Sequence, residues 1–391
     1  RRMNNKIEIS RRPSIIHLFL SFLRLGLTAF GGLAMIAYIK ELSVNKNKWI
    51  DEDSFKHGLT LCQTLPGPMV VNTASYIGLR LRGLPGMLAC FVGFLLPAFL
   101  MLLAFSIIYH KAHNLPAMIS VFEGLQVIVV AIILNATLSF GKGTLKQRKD
   151  VLLAVISATV LLLKVNPFFV IIGAALVGII AYDIMGSKMP SMSFRSSGYF
   201  KDALILFGFF VTCIFFLLFL NKRLFDLALV MPKIVLFSFG GGYGALPLMF
   251  HEVVEAKAWL DSKTFMDGVA LGQITPGPIL INATFIGYLL EGVLGSVVGT
   301  LAVFFPGLIL VTVTLPFFDK LKSSRYFMRA TRGILASFVG LLLFVAIKFA
   351  LAVPWDVIKV VLGLAVLTAL VKKVDILYVV LIGAVISVFI F

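Results

Sequence analysis

Two short stretches carry the residues best placed to do chemistry: QTLPGPMVVN, residues 63–72, and QITPGPILIN, residues 273–282, 210 positions further on. Each sets Gln, Pro-Gly-Pro and Asn at one spacing, with Gln63, Pro66, Gly67, Pro68 and Asn72 in the first and Gln273, Pro276, Gly277, Pro278 and Asn282 in the second. The set holds no nucleophile and no general base, so its chemistry is recognition. Proline lacks the amide donor and clashes with the preceding turn, while glycine tolerates angles a helix does not use. Pro-Gly-Pro therefore ends one half-helix and starts another, whose free amides and positive dipole end form an anion site. Asn72, Thr73, Thr275 and Asn282 lie within a turn of the breaks and can add donors. A single proline reads as a kink filled by neighbours. A duplicated Gln-x-x-Pro-Gly-Pro-x-x-x-Asn favours a binding role.

These breaks lie in an integral membrane protein. Of 391 residues 60% are hydrophobic and only 14% charged, more apolar surface than one soluble core can hide. Lys and Arg exceed Asp and Glu by 35 to 18, an excess expected on the cytoplasmic side of a membrane rather than at a nucleic acid. Cys62, Cys90 and Cys213 lie in apolar runs without metal-ligand spacing, so neither a disulfide framework nor a metal site is expected. The first apolar run contains Arg24 and shows no small-residue cleavage site, so it reads as a retained span. In lipid, backbone groups freed by a break cost several kcal/mol each unless they face protein, water or ligand, so the breaks should line a cavity.

Other charges point to the same place. Arg24 lies six residues before Phe30 and Lys233 six before Phe239, each about 15 Å into its span. Cations at that depth usually face a pathway, which here would be anionic; the alternative is that each snorkels or pairs with an acid. Glu123 and Arg332 occupy equivalent places before Gly124 and Gly333, as a gate or a structural pair. His57, Asp267, Asp51 and Asp261 flank the breaks and offer a proton route, although solvated interface residues account for them as well. Gly31 and Gly32, with Gly240, Gly241 and Gly242, read as hinges or close-packing points. The latter run lacks the strand-to-helix context of a nucleotide loop.

The chain is an internal repeat. Phe30-Gly31-Gly32 aligns with Phe239-Gly240-Gly241, Trp49 with Trp259, Asp51 with Asp261, Gly78 with Gly287, Gly83 with Gly292 and Pro97 with Pro306. Chance similarity of apolar stretches would match Leu and Val instead. We expect an all-α fold of two homologous repeats, with a cytoplasmic segment at 1–13, repeats at 14–185 and 224–391, and a linker with a connecting span at 186–223. Counting each broken segment, 55–82 and 264–291, as a crossing gives about thirteen spans. That count places the basic loops 141–150, 186–201 and 319–332 on one side, N-terminus inside and C-terminus outside. Six spans per repeat and an odd connecting span invert the second repeat, the architecture of many secondary transporters.

At these residues the sequence resembles the chromate ion transporter family in its long two-domain form. SFGGGYGALPLM, the Trp259-Leu260-Asp261 run and GQITPGPILINATFIGY look like the family's C-terminal domain, and Phe-Gly-Gly with Leu-Pro-Gly-Pro like its N-terminal one. One departure is Leu33, where the family usually has proline after Phe-Gly-Gly. The resemblance implies thirteen spans with antiparallel halves, and secondary export of chromate from a bacterial cytoplasm across the plasma membrane, with sulfate as competitor. The expected partners are a small inorganic anion and membrane lipid, with no nucleic acid and no cofactor; a coupling proton and a second copy of the chain stay open. An exporter of another solute, such as an amino acid or organic anion, is the alternative. An intramembrane enzyme is remote, because no His-Glu-x-x-His or Gly-x-Ser-x-Gly is present.

Overall fold

The computed structural model describes residues 13–28, 34–112, 115–183 and 196–391, so the expectations for residues 1–12, Gly31 and Gly32 lie outside it. All elements among the described residues are helical. In the first repeat α1 is Ile15–Thr28, α2 is Ala34–Lys40 with a π turn over Glu41–Lys46, α3 is Glu52–Thr64 and α4 is Met69–Ala112. Then come α5 Pro116–Thr144, α6 Arg148–Leu162 and α7 Pro167–Ala181, and the connecting α8 Ser196–Leu220. The second repeat runs α9 Lys222–Leu236, α10 Ala245–Phe250 with a π turn over His251–Ala256, α11 Ser262–Ile274 and α12 Asn282–Thr314. A short α13 Phe318–Ser323 leads to α14 Arg325–Ala352, α15 Val357–Val371 and α16 Ile376–Ile390.

The helix starts follow from local chemistry. Asp51 accepts from the Ser54 amide at 2.8 Å and caps α3, and its repeat mate Asp261 accepts from the Thr264 amide at 2.7 Å and caps α11. Such a side chain satisfies one of the four amides a helix leaves open. Burial raises the Asp51 carboxyl, but the Ser54 amide and hydroxyl more than offset it and hold the group below its ordinary value. Both aspartates are thus structural caps.

The broken segments fold back. Tyr76 Oη donates to the Ser54 carbonyl at 3.0 Å, and a Cβ on Gly58 would overlap the Tyr76 ring, so α3 and the first arm of α4 lie side by side. In the second repeat Gly268 meets Asn282 and Phe285 in the same way. Each returning arm then reverses again. Arg82 and Gly83 leave helical geometry, Gly83 at φ +64°, and so do Glu291 and Gly292, the latter at φ +61°. A Cβ on Gly78 would overlap the carbonyl oxygen of Gly86, although residues eight apart in a straight helix stand about 12 Å apart. Gly287 and Gly295 repeat that contact.

The flanking segments fold back too. His17 near the start of α1 stacks edge-on against Trp49 beyond the π turn, with ring centroids 5.6 Å apart. Lys233 of α9 bonds Glu252 in the turn after α10 at 2.7 Å. The expected thirteen crossings count four such segments, 14–39, 55–82, 224–250 and 264–291, as one crossing each; in 55–82 and 264–291 the two arms lie side by side. Loop charge reads only the parity of crossings, and two consecutive fold-backs leave that parity as it was. Among the described residues five helical stretches are long and apolar enough to cross a membrane: Met69–Ala112, Met118–Thr144, Gly198–Leu220, Ile279–Ser323 and Arg325–Ala352. The protein is a multi-pass membrane protein.

The long helices then exchange partners. α5 packs on α15 and α16 of the other repeat, and α14 packs on α6 and α7, with Gly340 against the Ala154 carbonyl and Gly333 against that of Ala174. Glycine at these points lets backbones approach where any side chain would collide. Gly78→Ala or Gly287→Ala should therefore lose about 1–3 kcal/mol to overpacking and lower the unfolding temperature in detergent, whereas Gly173→Ala, which meets open space, should not.

Candidate functional site

At the first break Gly67 holds φ +103° and at the second Gly277 holds φ +119°, a region L side chains rarely adopt. The chain can turn back within three residues only because glycine stands there. Pro68 and Pro278 stand just ahead of the returning helices, as caps rather than within the first turn as the sequence suggested. The Asn72 amide closes the first turn on the Pro68 carbonyl at 3.0 Å.

Each tip is set against the opposite repeat. The Gly67 amide donates to the Ser238 carbonyl at 2.7 Å, beside the glycine turn at 240–242, so an amide expected to hold the ligand is already used within the protein. Asn72 lies against Gly307 of α12, and Gly277 against Ala98 of α4. Ala98 and Gly307 directly follow Pro97 and Pro306, which pair in the repeat alignment. Gly240 at φ +84° and Gly241 at φ +91° turn the chain between α9 and α10, and Gly242 comes within van der Waals distance of Ile279. Of these glycines, Gly242 stands beside the second break, a Cβ on Gly240 would meet the Phe140 ring, and one on Gly241 would meet open space.

The decisive observation concerns the two asparagines. Asn72 and Asn282 are both fully buried, and neither the oxygen nor the nitrogen of either carboxamide bonds a protein group. A buried polar group left without a partner costs about 1–3 kcal/mol, and here four atoms at symmetric positions are in that condition. The buried Ser238 hydroxyl and the Gln273 nitrogen share it. Pro66, Gly67, Pro68 and Pro276 are buried, Gly277 and Pro278 half-buried, and Gln63 exposed. The Thr73 and Thr275 hydroxyls are spent on carbonyls of Met69 and Gly272. Sequence reasoning missed Ser238, although its place next to Phe239-Gly240-Gly241 was the available signal. What the tips offer is a set of neutral donors and acceptors with nothing to react.

Comparison with known proteins adds the family. The chain matches the chromate transporter family over residues 16–179 and 225–388, once per repeat. The chain belongs to the chromate transporter family. It is 43% identical over 387 residues to an uncharacterized transporter of Methanocaldococcus jannaschii, covering 98% of this chain and 96% of the relative. It is 29% identical over 359 residues to a chromate transport protein of Cupriavidus metallidurans, covering 91% and 87%. A probable chromate transport protein of Synechococcus elongatus is 30% identical over 304 residues, covering 76% and 75%. No solved structure matches the chain.

The charged residues of this family member divide differently from expectation. Lys233 pairs with Glu252 at 2.7 Å and lies over the Phe168 ring. Arg24 is exposed and has no ion pair among the described residues, and the position equivalent to Glu252 is Leu42. Glu123 and Arg332 do not meet each other. Arg332 binds Asp150 at 3.0 Å with its guanidinium over the Tyr182 ring, while Glu123 binds Lys359 at 2.9 Å with the ammonium over the Phe391 ring. Asp150 and Lys359, like Tyr182 and Phe391, are repeat mates, so one bridge occurs twice with its charges reversed. Each ties a long helix to the other repeat.

Arg332→Ala would leave Asp150, which is fully buried, without its cation. Breaking such a pair costs about 3–5 kcal/mol, and the low end applies because Arg332 is 25% exposed. The exchanged double variant Asp150→Arg, Arg332→Asp should recover part of that loss in thermal unfolding, since the mate bridge carries that polarity in the same frame.

Proposed function

We propose that this protein is a secondary active transporter that carries a tetrahedral oxyanion, chromate with sulfate as its analogue, across the membrane by alternating access. The observation that carries the reading is the pair of buried asparagines with unused carboxamides at the tips of two equivalent breaks. Each amide nitrogen can donate to an anion oxygen, and the Ser238 hydroxyl and Gln273 nitrogen add donors on the second repeat's side. The similarity to chromate transport proteins supports chromate as the substrate.

The two repeats lie inverted in this reading. The hairpins of the first open at the end marked by Pro13, Trp49 and Arg82, where Arg82 Nε donates to the Pro13 carbonyl at 2.7 Å. Those of the second open at the end marked by Asn221, Trp259 and Glu291, where Asn221 donates to Glu291 at 2.8 Å. Each mouth meets the far end of the other repeat's long helix: His57 of α3 bonds Asp319 beyond α12, and Tyr109 near the end of α4 bonds Asp267 of α11. Five long helices and the shorter α6, α7, α15 and α16 make nine crossings, an odd number that leaves the N-terminus inside and the C-terminus outside. The basic loops at 141–150 and 319–332 then face the cytoplasm. Arg24 and Lys233 contribute long-range attraction for the anion rather than direct contact.

Flux of chromate and of sulfate into proteoliposomes, with and without a pH gradient, tests the reading. Saturable flux of at least one oxyanion is expected. Loss of two ligand-facing donors at about 1.5–3 kcal/mol each should raise KM ten-fold or more in the Asn72→Ala, Asn282→Ala variant. Equal KM in the variant, or no flux of either anion by folded protein, would overturn it.

A further inference from the structure

α3 and α11 are repeat mates, each leading to a Pro-Gly-Pro tip, yet they pack differently. α11 is covered by α5 and α16 of its surroundings as well as by α12. Its Asp267, 5% exposed, accepts from Tyr109 Oη at 2.9 Å and from Gln126 Nε2 at 2.8 Å, which binds it to both α4 and α5. Met266 and Ala270 on the same helix are buried.

α3 packs chiefly on α4 and lacks the matching cover from α14 and α7. The positions equivalent to Met266, Ala270 and Gln273 are Lys56, Thr60 and Gln63, spaced four and three apart and so on one face of the helix. Lys56 and Gln63 are exposed and Thr60 is half-exposed. This open face is polar from its mouth to its tip. The Thr60 hydroxyl donates to the Lys56 carbonyl at 2.8 Å, but lipid cannot satisfy the Lys56 ammonium or the Gln63 carboxamide, so the face is wet. Lys56 at the mouth meets Glu52 at 3.3 Å and keeps 65% of its side chain exposed. His57, on the adjoining face, is held by Asp319 at 3.0 Å.

We infer that the face of α3 carrying Lys56, Thr60 and Gln63 lines an open aqueous path for the oxyanion, from the end with the basic loops to the break at 66–68, while the equivalent path along α11 is closed. This rests on the oxyanion reading for its cargo, but not for its geometry. Lys56 recruits the anion at the mouth, Thr60 and Gln63 line the descent, and the bonds of Asp267 to Tyr109 and Gln126 hold the opposite side shut. The structure is thus open toward one side only, and the packing of α11 on α5 and α16 shows the arrangement α3 reaches against α14 and α7 when the path reverses.

The test uses single cysteines in the full chain with Cys62, Cys90 and Cys213 replaced, in sealed vesicles of each orientation, with a membrane-impermeant charged thiosulfonate. Thr60→Cys and Gln63→Cys should react at least ten times faster than Met266→Cys and Ala270→Cys, and only from the side of the 141–150 loop. Equal rates for the two helices, or reaction from the other side, would overturn the path. This pattern in protein that carries neither chromate nor sulfate would support the path and overturn the oxyanion reading alone. A second measurement keeps the native cysteines: Lys56→Gln should raise KM for the anion several-fold and Lys56→Glu further, with kcat within two-fold and the difference shrinking as salt is added. Unchanged KM in both would remove Lys56 from the path.

Discussion

The rest of the structure depends on one constraint: inside a membrane a backbone amide or carbonyl must find its partner within the protein. A helix satisfies this by itself, and a break does not. The two Pro-Gly-Pro segments in this chain solve the problem by folding back on themselves and setting their tips against the other repeat. The Gly67 amide bonded to the Ser238 carbonyl is the clearest case, because a break in one repeat is completed by the turn in the other. These contacts leave the buried Asn72 and Asn282 carboxamides without a protein partner.

The same dependence appears at larger scale. α5 and α14 leave their own repeats to pack on the short helices of the other, and each exchange is fastened by a cation, a carboxylate and an aromatic ring. The two fasteners are mates with reversed charge, Asp150 with Arg332 and Lys359 with Glu123.

Much of this was legible in the residues. The repeat and the glycine turn within each Pro-Gly-Pro are explained by backbone chemistry that sequence displays directly; the close approach of Gly78 to Gly86 and of Gly287 to Gly295 is not, since the alignment gives these glycines only as matched positions. The fold-back of the segments was not, because hydropathy counts apolar length and loop charge counts parity, and neither distinguishes two crossings from two hairpins. The partner of Lys233 was hidden for a different reason. Glu252 lies across the glycine turn, and its mate Leu42 breaks the symmetry that made Arg24 and Lys233 look alike. The partners of Glu123 and Arg332 could have been found by carrying the alignment on to Asp150 and Lys359, where the charges invert rather than match.

The account's central claim is that the two buried asparagines hold the transported anion. A structure determined with chromate or selenate bound, whose metal or selenium atom identifies itself by anomalous scattering, tests it most directly. The account predicts one site within hydrogen-bond reach of the Asn72 and Asn282 carboxamides, between the two breaks. An anion held only by the basic loops at 141–150 and 319–332, with both asparagines still bonded to nothing, would contradict it.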